Sequence, residues 1–178
     1  PDVDTSRSHF NFHLVTPQRK YRAEAEKQIA EAGCRTRSDS VRVVEALVTA
    51  SPEFFKGKTK SEGKAYFQEA LDFIWEHQDP KTIISAVVHV DETTPHMHLC
   101  FVPLTRDKRL SAKEILGNKK SMIRWQDDFY ACMAERWPEL ERGTPAVETK
   151  RRHLTPQWYK KVTAMDAKLE QLETTLNN

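Results

Sequence analysis

The chain has 178 residues, a length that suits one compact domain with an appendage rather than two full domains. Hydrophobic residues make up 38% of the chain and charged residues 30%, with a mean hydropathy of −0.70. Enough apolar side chains remain for a core, which excludes disorder throughout. The 28 Lys and Arg residues nearly balance the 26 Asp and Glu residues, giving a net charge of +2. Nucleic-acid binding must therefore depend on local basic patches.

Neither a membrane segment nor a disulfide framework is indicated. No apolar run reaches the roughly 20 residues needed to cross a bilayer, and residues 1–4 do not resemble a basic, apolar secretory leader. The three cysteines, Cys34, Cys100 and Cys132, have no CxxC spacing, which argues against both disulfides and a Cys-based zinc site. We expect a cytoplasmic protein.

The first half of the chain predicts two strands and two helices in alternation. Apolar and polar residues alternate over Ser8–Val15, the pattern of a strand with one buried face. A helix follows, with an N-cap at Thr16 and a C-terminal glycine at Gly33. Val41–Thr49 is rich in β-branched residues and predicts a second strand, and an apolar stripe predicts a helix over Glu62–His77.

The second half predicts a hairpin and a third long helix. Thr82–Val90 is the most strand-like run, and His96–Val102 follows after only five residues, which requires antiparallel pairing. The helix begins after Asn118 and ends before Pro138. Together these elements predict an α+β fold, an antiparallel sheet with helices packed on one face.

The character of the sequence changes near residue 143, so we divide the chain into a core, residues 1–143, and a linker with a C-terminal helix, residues 144–178. Apolar residues of this second part recur at steps of four and three, the pattern of a heptad seam: Trp158, Val162, Met165, Leu169, Leu172 and Leu176. Two interpretations stay open, namely the start of a coiled coil that forms a homodimer, and a helix packed back on the core.

Three histidines lie in one ten-residue segment that joins the two strands of the predicted hairpin. Side chains alternate along a strand, so His96 and His98 point to the same face, and the hairpin brings His89 across from them. Imidazole is a common metal ligand, and three protein ligands with open positions are typical of a catalytic metal site. In the turn, Asp91 and Glu92 can each ligate the metal, orient a histidine or accept a proton.

This segment resembles the metal motif of the Mob/Pre (MobV-type) plasmid mobilisation relaxases. The shared pattern is H-x-D-E-x-x-P-H-x-H, from His89 to His98, followed by Phe-Val-Pro. Three further segments resemble family sequences and occur in the same order: Ser6–Phe12, Leu110–Lys113 and Glu139–Gly143. The first of them corresponds to the family's Ser-Arg-Ser-His-Leu-Asn-Tyr sequence.

The resemblance implies an HUH-type endonuclease and DNA strand transferase, with residues 1–143 as its catalytic core. Such a relaxase nicks single-stranded origin-of-transfer DNA beside its hairpin for conjugative mobilisation of a plasmid, and it uses a divalent metal, Mn²⁺ or Mg²⁺. His89, His96 and His98 carry over as metal ligands, Glu92 as a further ligand or a base, and Asp91 as a second catalytic carboxylate. The alternatives are a replication-initiator-type HUH endonuclease and a non-nicking DNA-binding module of the same fold.

The resemblance also places the family's nucleophilic histidine upstream of the Ser6–Phe12 segment. Only five residues precede that segment here, so we expect the nucleophile to lie outside this chain. The alternatives within the chain are two histidines of the first predicted strand and two tyrosines beside apolar helix stripes: His9, His13, Tyr66 and Tyr130.

Basic residues that can neutralise DNA phosphates occur in several clusters. We favour the loop after the metal hairpin, because we expect it to leave the sheet close to the metal site. Our DNA-binding candidates come from this loop and from the segments that match the family: Arg106, Lys108 and Arg109 in the loop, with Arg7, His9, Asn11 and Lys113. The remaining basic clusters are Lys56, Lys58, Lys60 and Lys64, and Arg35 with Arg37.

Overall fold

A computed structural model describes residues 3–144 and 156–176 of the chain. Its four strands are β1 (Phe12–Val15), β2 (Val44–Thr49), β3 (Ile83–His89) and β4 (His96–Phe101). Its helices are α1 (Tyr21–Ala32), α2 (Pro52–Phe55), α3 (Lys60–His77), α4 (Ala112–Leu116), α5 (Lys119–Arg136) and α6 (Pro156–Leu176). Short 3-10 helices span Thr5–Phe10 and Pro80–Thr82.

The strands form one antiparallel sheet in the order β1-β3-β4-β2. The predicted hairpin is confirmed as the centre of this sheet, and the α+β fold class with an antiparallel sheet is confirmed with it. On one face of the hairpin, Val88 pairs with Met97 and Ala86 with Leu99, and all four side chains are completely buried.

The two long helices α3 and α5 cover this buried face. Phe67 and Leu71 of α3 and Met133 of α5 belong to the same hydrophobic cluster as the hairpin residues. The expectation that helices pack on one face holds for these two. Helix α1 differs, because its Ala25 and Ile29 pack with Ile84 and Val102 in a separate cluster and lie against part of the opposite face.

The N-terminal prediction was wrong over its first half, since only Phe12–Val15 of the expected strand Ser8–Val15 pairs with the sheet. The preceding residues form the Thr5–Phe10 3-10 helix. Its first turn is capped by Asp4, whose side chain accepts from the Ser6 N–H at 3.1 Å, and Ser8 hydrogen-bonds across to Asp91. These local bonds satisfy groups that a strand would have paired with its neighbour.

Two other boundaries differ from the prediction, and neither is set by a side-chain cap. Helix α1 begins at Tyr21, not after Thr16, although Gly33 ends it with a φ of 67° as predicted. The segment before it brings Arg19 to 3.1 Å from Glu24. Strand β2 begins at Val44 rather than Val41.

Two short helices were not predicted, and both begin at a serine. The Ser51 and Ser111 side chains accept the N–H groups of Phe54 and Glu114 at the starts of α2 and α4. Because Thr59 and Glu62 form a capping box, α3 begins at Lys60, earlier in the chain than the predicted start at Glu62.

The chain divides into two compact units, Pro1–Arg142 and Gly143–Asn178. In the second unit α6 carries the heptad seam, on which Val162, Met165, Leu169 and Leu172 are between 39% and 66% exposed. Most of the predicted linker and the side chain of Leu176 lie outside the described residues. Among the helices that the structure describes, none is long and apolar enough to cross a membrane.

We predict that Leu99→Ala lowers the free energy of unfolding by about 2–5 kcal/mol, because it leaves a cavity in the core beneath the sheet. Leu47, on the neighbouring strand, is 61% exposed, so Leu47→Ala is a matched control with an expected effect of about 0.5 kcal/mol or less. Urea unfolding followed by circular dichroism measures both. Similar losses for the two variants would contradict the assignment of the buried face.

Candidate metal centre

Three imidazole rings meet on the sheet face opposite α3 and α5. His89 and His96 are direct partners across the β3–β4 pair, and His98 follows two residues along β4 on the same face. Their ring centroids are 5.5 Å apart for His89 and His96, 5.3 Å for His89 and His98, and 5.0 Å for His96 and His98. The side chains that the sequence predicted as ligands are therefore neighbours.

The Nδ1 atom of each ring faces an oxygen atom. His96 Nδ1 lies 2.9 Å from the Thr94 carbonyl, His98 Nδ1 lies 2.7 Å from Glu45 Oε1, and His89 Nδ1 lies 3.7 Å from Asp91 Oδ1. Carbonyl and carboxylate oxygens only accept hydrogen bonds, so in His96 and His98 the proton belongs on Nδ1 and the lone pair on Nε2. Histidines that bind metals are usually oriented by such a bond from the second nitrogen.

Glu92 adds a carboxylate to this group. Among the described residues, ligand atoms of His89, Glu92 and His96 all lie within 4.8 Å of one another, and Glu92 Oε1 is 3.9 Å from His96 Nε2. His98 is outside this tightest set, although its ring adjoins both other imidazoles. Two imidazoles, a carboxylate and a third imidazole beside them form a donor set that fits Mn²⁺, Fe²⁺ or Zn²⁺.

Asp91 has different surroundings from Glu92. Its side chain is 4% exposed, Oδ2 accepts a hydrogen bond from Ser8 Oγ at 2.6 Å, and its backbone carbonyl accepts from the Asp4 N–H at 2.7 Å. Oδ1 has no hydrogen-bond partner within the described residues and faces His89. The bond from Ser8 lowers the pKa of Asp91, so the carboxylate is ionised. This geometry favours Asp91 as a support for His89 over direct contact with a substrate.

The N-terminal segment is fastened to the turn of the hairpin. Besides the Ser8 bond, Asn11 Oδ1 accepts the Val90 N–H at 2.8 Å, so the Asn11 oxygen holds the backbone beside the metal centre. Arg7 and His9 lie on the same 3-10 helix and are exposed. These two predicted DNA contacts therefore lie near the metal end of the sheet.

The basic loop after β4 is not close to the metal centre, so that expectation was wrong. His89 pairs with His96 at one end of the hairpin and Ile83 pairs with Phe101 at the other, about 15–20 Å away along the strand. The loop that carries Arg106, Lys108 and Arg109, and Lys113 beyond it, leaves from the Phe101 end. Within the loop, Arg109 is already paired with Asp107 at 2.5 Å and Glu114 at 2.8 Å.

The lysines near residue 58 take two roles. The Lys58 ammonium pairs with Glu139 and lies 4.3 Å from the Phe54 ring centroid and 4.8 Å from that of Trp137, so it packs on the core. Lys60 Nζ lies 3.6 Å from the ring centroid of Phe10, which is 40% exposed. Sequence reasoning missed this aromatic and cationic pair at the metal end of the sheet.

The four nucleophile alternatives differ in position. Tyr66 is completely buried, its hydroxyl donates to the Thr49 carbonyl at 3.3 Å, and burial raises its pKa to about 12. Tyr130 is half-buried against the core. His9 lies against Phe10, with ring centroids 3.8 Å apart. His13 pairs with Val87 on β3, which puts it on the same sheet face as the three clustered histidines.

A cleft of about 940 Å³ lies between α1 and this face of the sheet. His89 and His98 line it, together with apolar residues such as Ala25, Val43 and Val87 and with charged residues on α1 and beside β2, which are Arg22, Glu26, Arg42 and Glu45. The cleft therefore leads from open solvent to the histidine cluster, with a volume in the range of small-molecule sites.

Comparison with known proteins decides the family. The profile of the Mob_Pre family, described as plasmid recombination enzyme, matches residues 1–161. This chain belongs to the Mob_Pre family. The resemblance found in the sequence is confirmed, and it extends over the whole of the described first unit.

Two curated members of the family illustrate the relationship. The plasmid recombination enzyme type 1 of Staphylococcus aureus is 40% identical over 166 residues, which cover 91% of this chain and 41% of that protein. A plasmid recombination enzyme of Bacillus thuringiensis is 36% identical over 173 residues, covering 96% of this chain and 38% of that protein. This Mob_Pre chain thus spans about two-fifths of the length of the curated relatives it matches.

The fold is also similar to crystal structures of the MobM relaxase domain, a Mob_Pre protein. One of these, Mn-bound and in complex with 23 nucleotides of plasmid pMV158 oriT DNA, has a TM-score of 0.81 at 28% identity and matches 92% of this chain and 85% of that domain. A second, Mn-bound with 22 nucleotides, has a TM-score of 0.79 at 28% identity and matches 90% and 85%.

The Ser8 bond generates a pH-dependent prediction. Because Asp91 has a lowered pKa in the fold, its ionised form contributes stability above the pKa of the unfolded chain, and this contribution is lost as the pH falls through the folded pKa. We expect Ser8→Ala to lower the free energy of unfolding of this Mob_Pre chain near neutral pH. The difference in this free energy between the variant and wild type should become smaller below about pH 4. Urea midpoints across a pH series measure the gap.

Ser121→Ala serves as the control, because the Ser121 hydroxyl donates to the neutral amide oxygen of Asn118. Its effect should be the same across the pH series. If the Ser8→Ala gap were equally independent of pH, the ionised Asp91 partner would be wrongly assigned.

Proposed function

We propose that this chain is the metal-dependent catalytic core of a DNA relaxase, which nicks one strand of origin-of-transfer DNA and rejoins it. One observation carries the proposal: three imidazoles cluster with Glu92 on an open sheet face, and the Nδ1 atom of each imidazole faces an oxygen atom. The similarity to Mn-bound MobM relaxase domains in complex with oriT DNA supports it.

In this proposal His89, His96 and Glu92 hold the ion and His98 completes the set. A bound Mn²⁺ or Mg²⁺ supplies positive charge that offsets the charge developing on the phosphoryl oxygens. Asp91 orients His89, since it is buried and held by Ser8. Glu92 is half-exposed and is the carboxylate that can meet the DNA backbone.

Single-stranded DNA enters this proposal at the metal end of the sheet. Arg7 and Lys60 provide positive charge there, and the Lys60 ammonium lies over the partly exposed ring of Phe10. His9 adjoins the same ring. Arg106, Lys108, Arg109 and Lys113 lie at the far end of β4, so a role for them requires DNA that extends along the sheet, such as the arm of an origin hairpin.

The nucleophile, in this proposal, lies upstream of the present sequence. Nicking transfers the 5′ phosphate to a side chain and releases a 3′ hydroxyl, and it requires a nucleophile within reach of the metal. Burial and a raised pKa argue against Tyr66, and core packing argues against Tyr130. His9 and His13 are the candidates of this chain that an experiment must exclude.

The metal assignment predicts uptake of about one Mn²⁺ per chain, measured by isothermal titration calorimetry. His96→Ala is expected to abolish uptake, because it removes a ligand from the tightest group of donors. His77→Ala is the matched control, since His77 bonds to the Phe73 carbonyl on α3 at 2.8 Å and lies outside the cluster. Equal uptake by His96→Ala and wild type would refute the proposed site.

The nucleophile assignment predicts that this chain binds a single-stranded origin oligonucleotide without forming a covalent product. An oligonucleotide that traps the covalent intermediate is incubated with the chain and Mn²⁺, and the products are analysed by mass spectrometry. A longer protein that includes the upstream residues is expected to form the adduct. Peptide mapping that located DNA on His9 or His13 would contradict the proposal.

The exposed seam of α6 predicts self-association of the longer protein. A stripe of Val162, Met165, Leu169 and Leu172 left in solvent is unfavourable, whereas a coiled coil would bury it between two copies. We expect the present chain to associate weakly, since few heptads bury little surface, and a chain of the relatives' length to dimerise. Light scattering over a concentration series tests this. A longer protein that remained monomeric well above micromolar concentration would rule out the dimer.

A further inference from the structure

Glu45 is the group in the metal centre that sequence reasoning did not identify. It lies on β2, the edge strand next to β4, directly across from Cys100 and diagonal to His98. Its Oε1 accepts the His98 Nδ1–H at 2.7 Å. Within the described residues this is the hydrogen bond that the Glu45 carboxylate makes, although the side chain is 59% exposed.

His98 differs from its two neighbours in how its ring can be oriented. His96 is held by the Thr94 carbonyl, and His89 faces Asp91, so both are oriented by groups of their own hairpin. For His98 the oriented nitrogen faces Glu45, 53 residues away along the chain. An imidazole on an open sheet face that lacked this bond could rotate about its side-chain torsions and protonate at either nitrogen.

We propose that Glu45 is a positioning residue for His98: by accepting its Nδ1 proton, the carboxylate keeps the Nε2 lone pair directed to the metal centre. The inference rests on the proposed metal-dependent function and adds a residue to it. Glu45 does not touch the DNA or the metal in this role. It accounts for an acidic residue on the histidine face of an edge strand whose alternate residues, Val44, Ala46 and Val48, pack against the core.

Two variants separate the hydrogen bond from the charge. Glu45→Gln keeps an oxygen acceptor of nearly the same shape, and Glu45→Ala removes it. Glu31→Ala is the control, because Glu31 is an exposed glutamate on α1 whose partner is Lys27 at 3.7 Å. The first measurement is the tautomer of His98 in the metal-free chain, by nitrogen-15 NMR. The second is Mn²⁺ affinity by calorimetry.

We expect His98 to be protonated on Nδ1 in wild type and Glu31→Ala, to remain so in Glu45→Gln, and to become a mixture of tautomers in Glu45→Ala. Mn²⁺ affinity should fall about 10–100-fold in Glu45→Ala, the usual effect of removing such a support, and by a smaller factor in Glu45→Gln. A merely structural role would alter the unfolding midpoint without moving the tautomer.

The outcomes distinguish this inference from the proposed function. If wild type bound no Mn²⁺, the proposed function would fail, while the tautomer spectra would still decide whether Glu45 orients His98. If wild type bound Mn²⁺ and Glu45→Ala bound it equally well with His98 unchanged, the inference would fail and the proposed function would stand. Should Glu45→Ala not fold, loss of the Nδ1 proton in Glu45→Gln would equally overturn the inference.

Discussion

In the β3–β4 hairpin, His89 lies directly across from His96, and this cross-strand pair determines where the other groups of the proposed metal centre can lie. Antiparallel neighbours on one face are about 4.5–5.5 Å apart at their Cβ atoms, close enough for two imidazoles to share an ion. The two-residue period of β4 then brings His98 to the same face, and the turn holds Glu92 beside His96. A shift of register by one residue would send the β4 histidines into the core and the buried Met97 and Leu99 into solvent.

One face of the sheet packs against the core and stabilises the fold, and the other face carries the histidine cluster. Burial of Met97, Leu99 and their partners against α3 and α5 fixes the register of the β3–β4 pair. Because side chains alternate along each strand, the same register fixes the positions of the histidines on the opposite face. Helix α1 covers only part of this face, which leaves a cleft leading to the cluster. Further supports come from both edges of the sheet: Ser8 and Asn11 lie in the segment that precedes β1, and Glu45 lies on β2.

The hairpin and its histidine cluster could be predicted because the information is local. Alternation within a strand and a five-residue connection are enough to bring His89, His96 and His98 to one face. The supports could not be predicted in the same way, because the sequence does not state that β2 pairs with β4 rather than with β1, and Glu45 reads as an ordinary exposed residue of a strand.

The errors have the same origin. The loop that carries Arg106 is close to His98 in sequence, but an antiparallel strand carries the chain away from the end where it started. Ser8–Phe10 alternates like a strand, yet capping by Asp4 and the bond from Ser8 to Asp91 favour a 3-10 helix. In both cases a contact or a direction in space overrides a pattern along the chain.

The hairpin supplies all four donors of the proposed metal centre from within ten residues of sequence, whereas Glu45 is 53 residues from His98 and Ser8 is 83 residues from Asp91. Contacts between distant residues cost more loop entropy to form than those within a hairpin. In the proposed site, the donors therefore require only the hairpin to have formed, whereas the groups that orient them require the completed sheet. A change that loosens either edge of the sheet would then weaken ion binding at the proposed site while leaving every donor side chain in place.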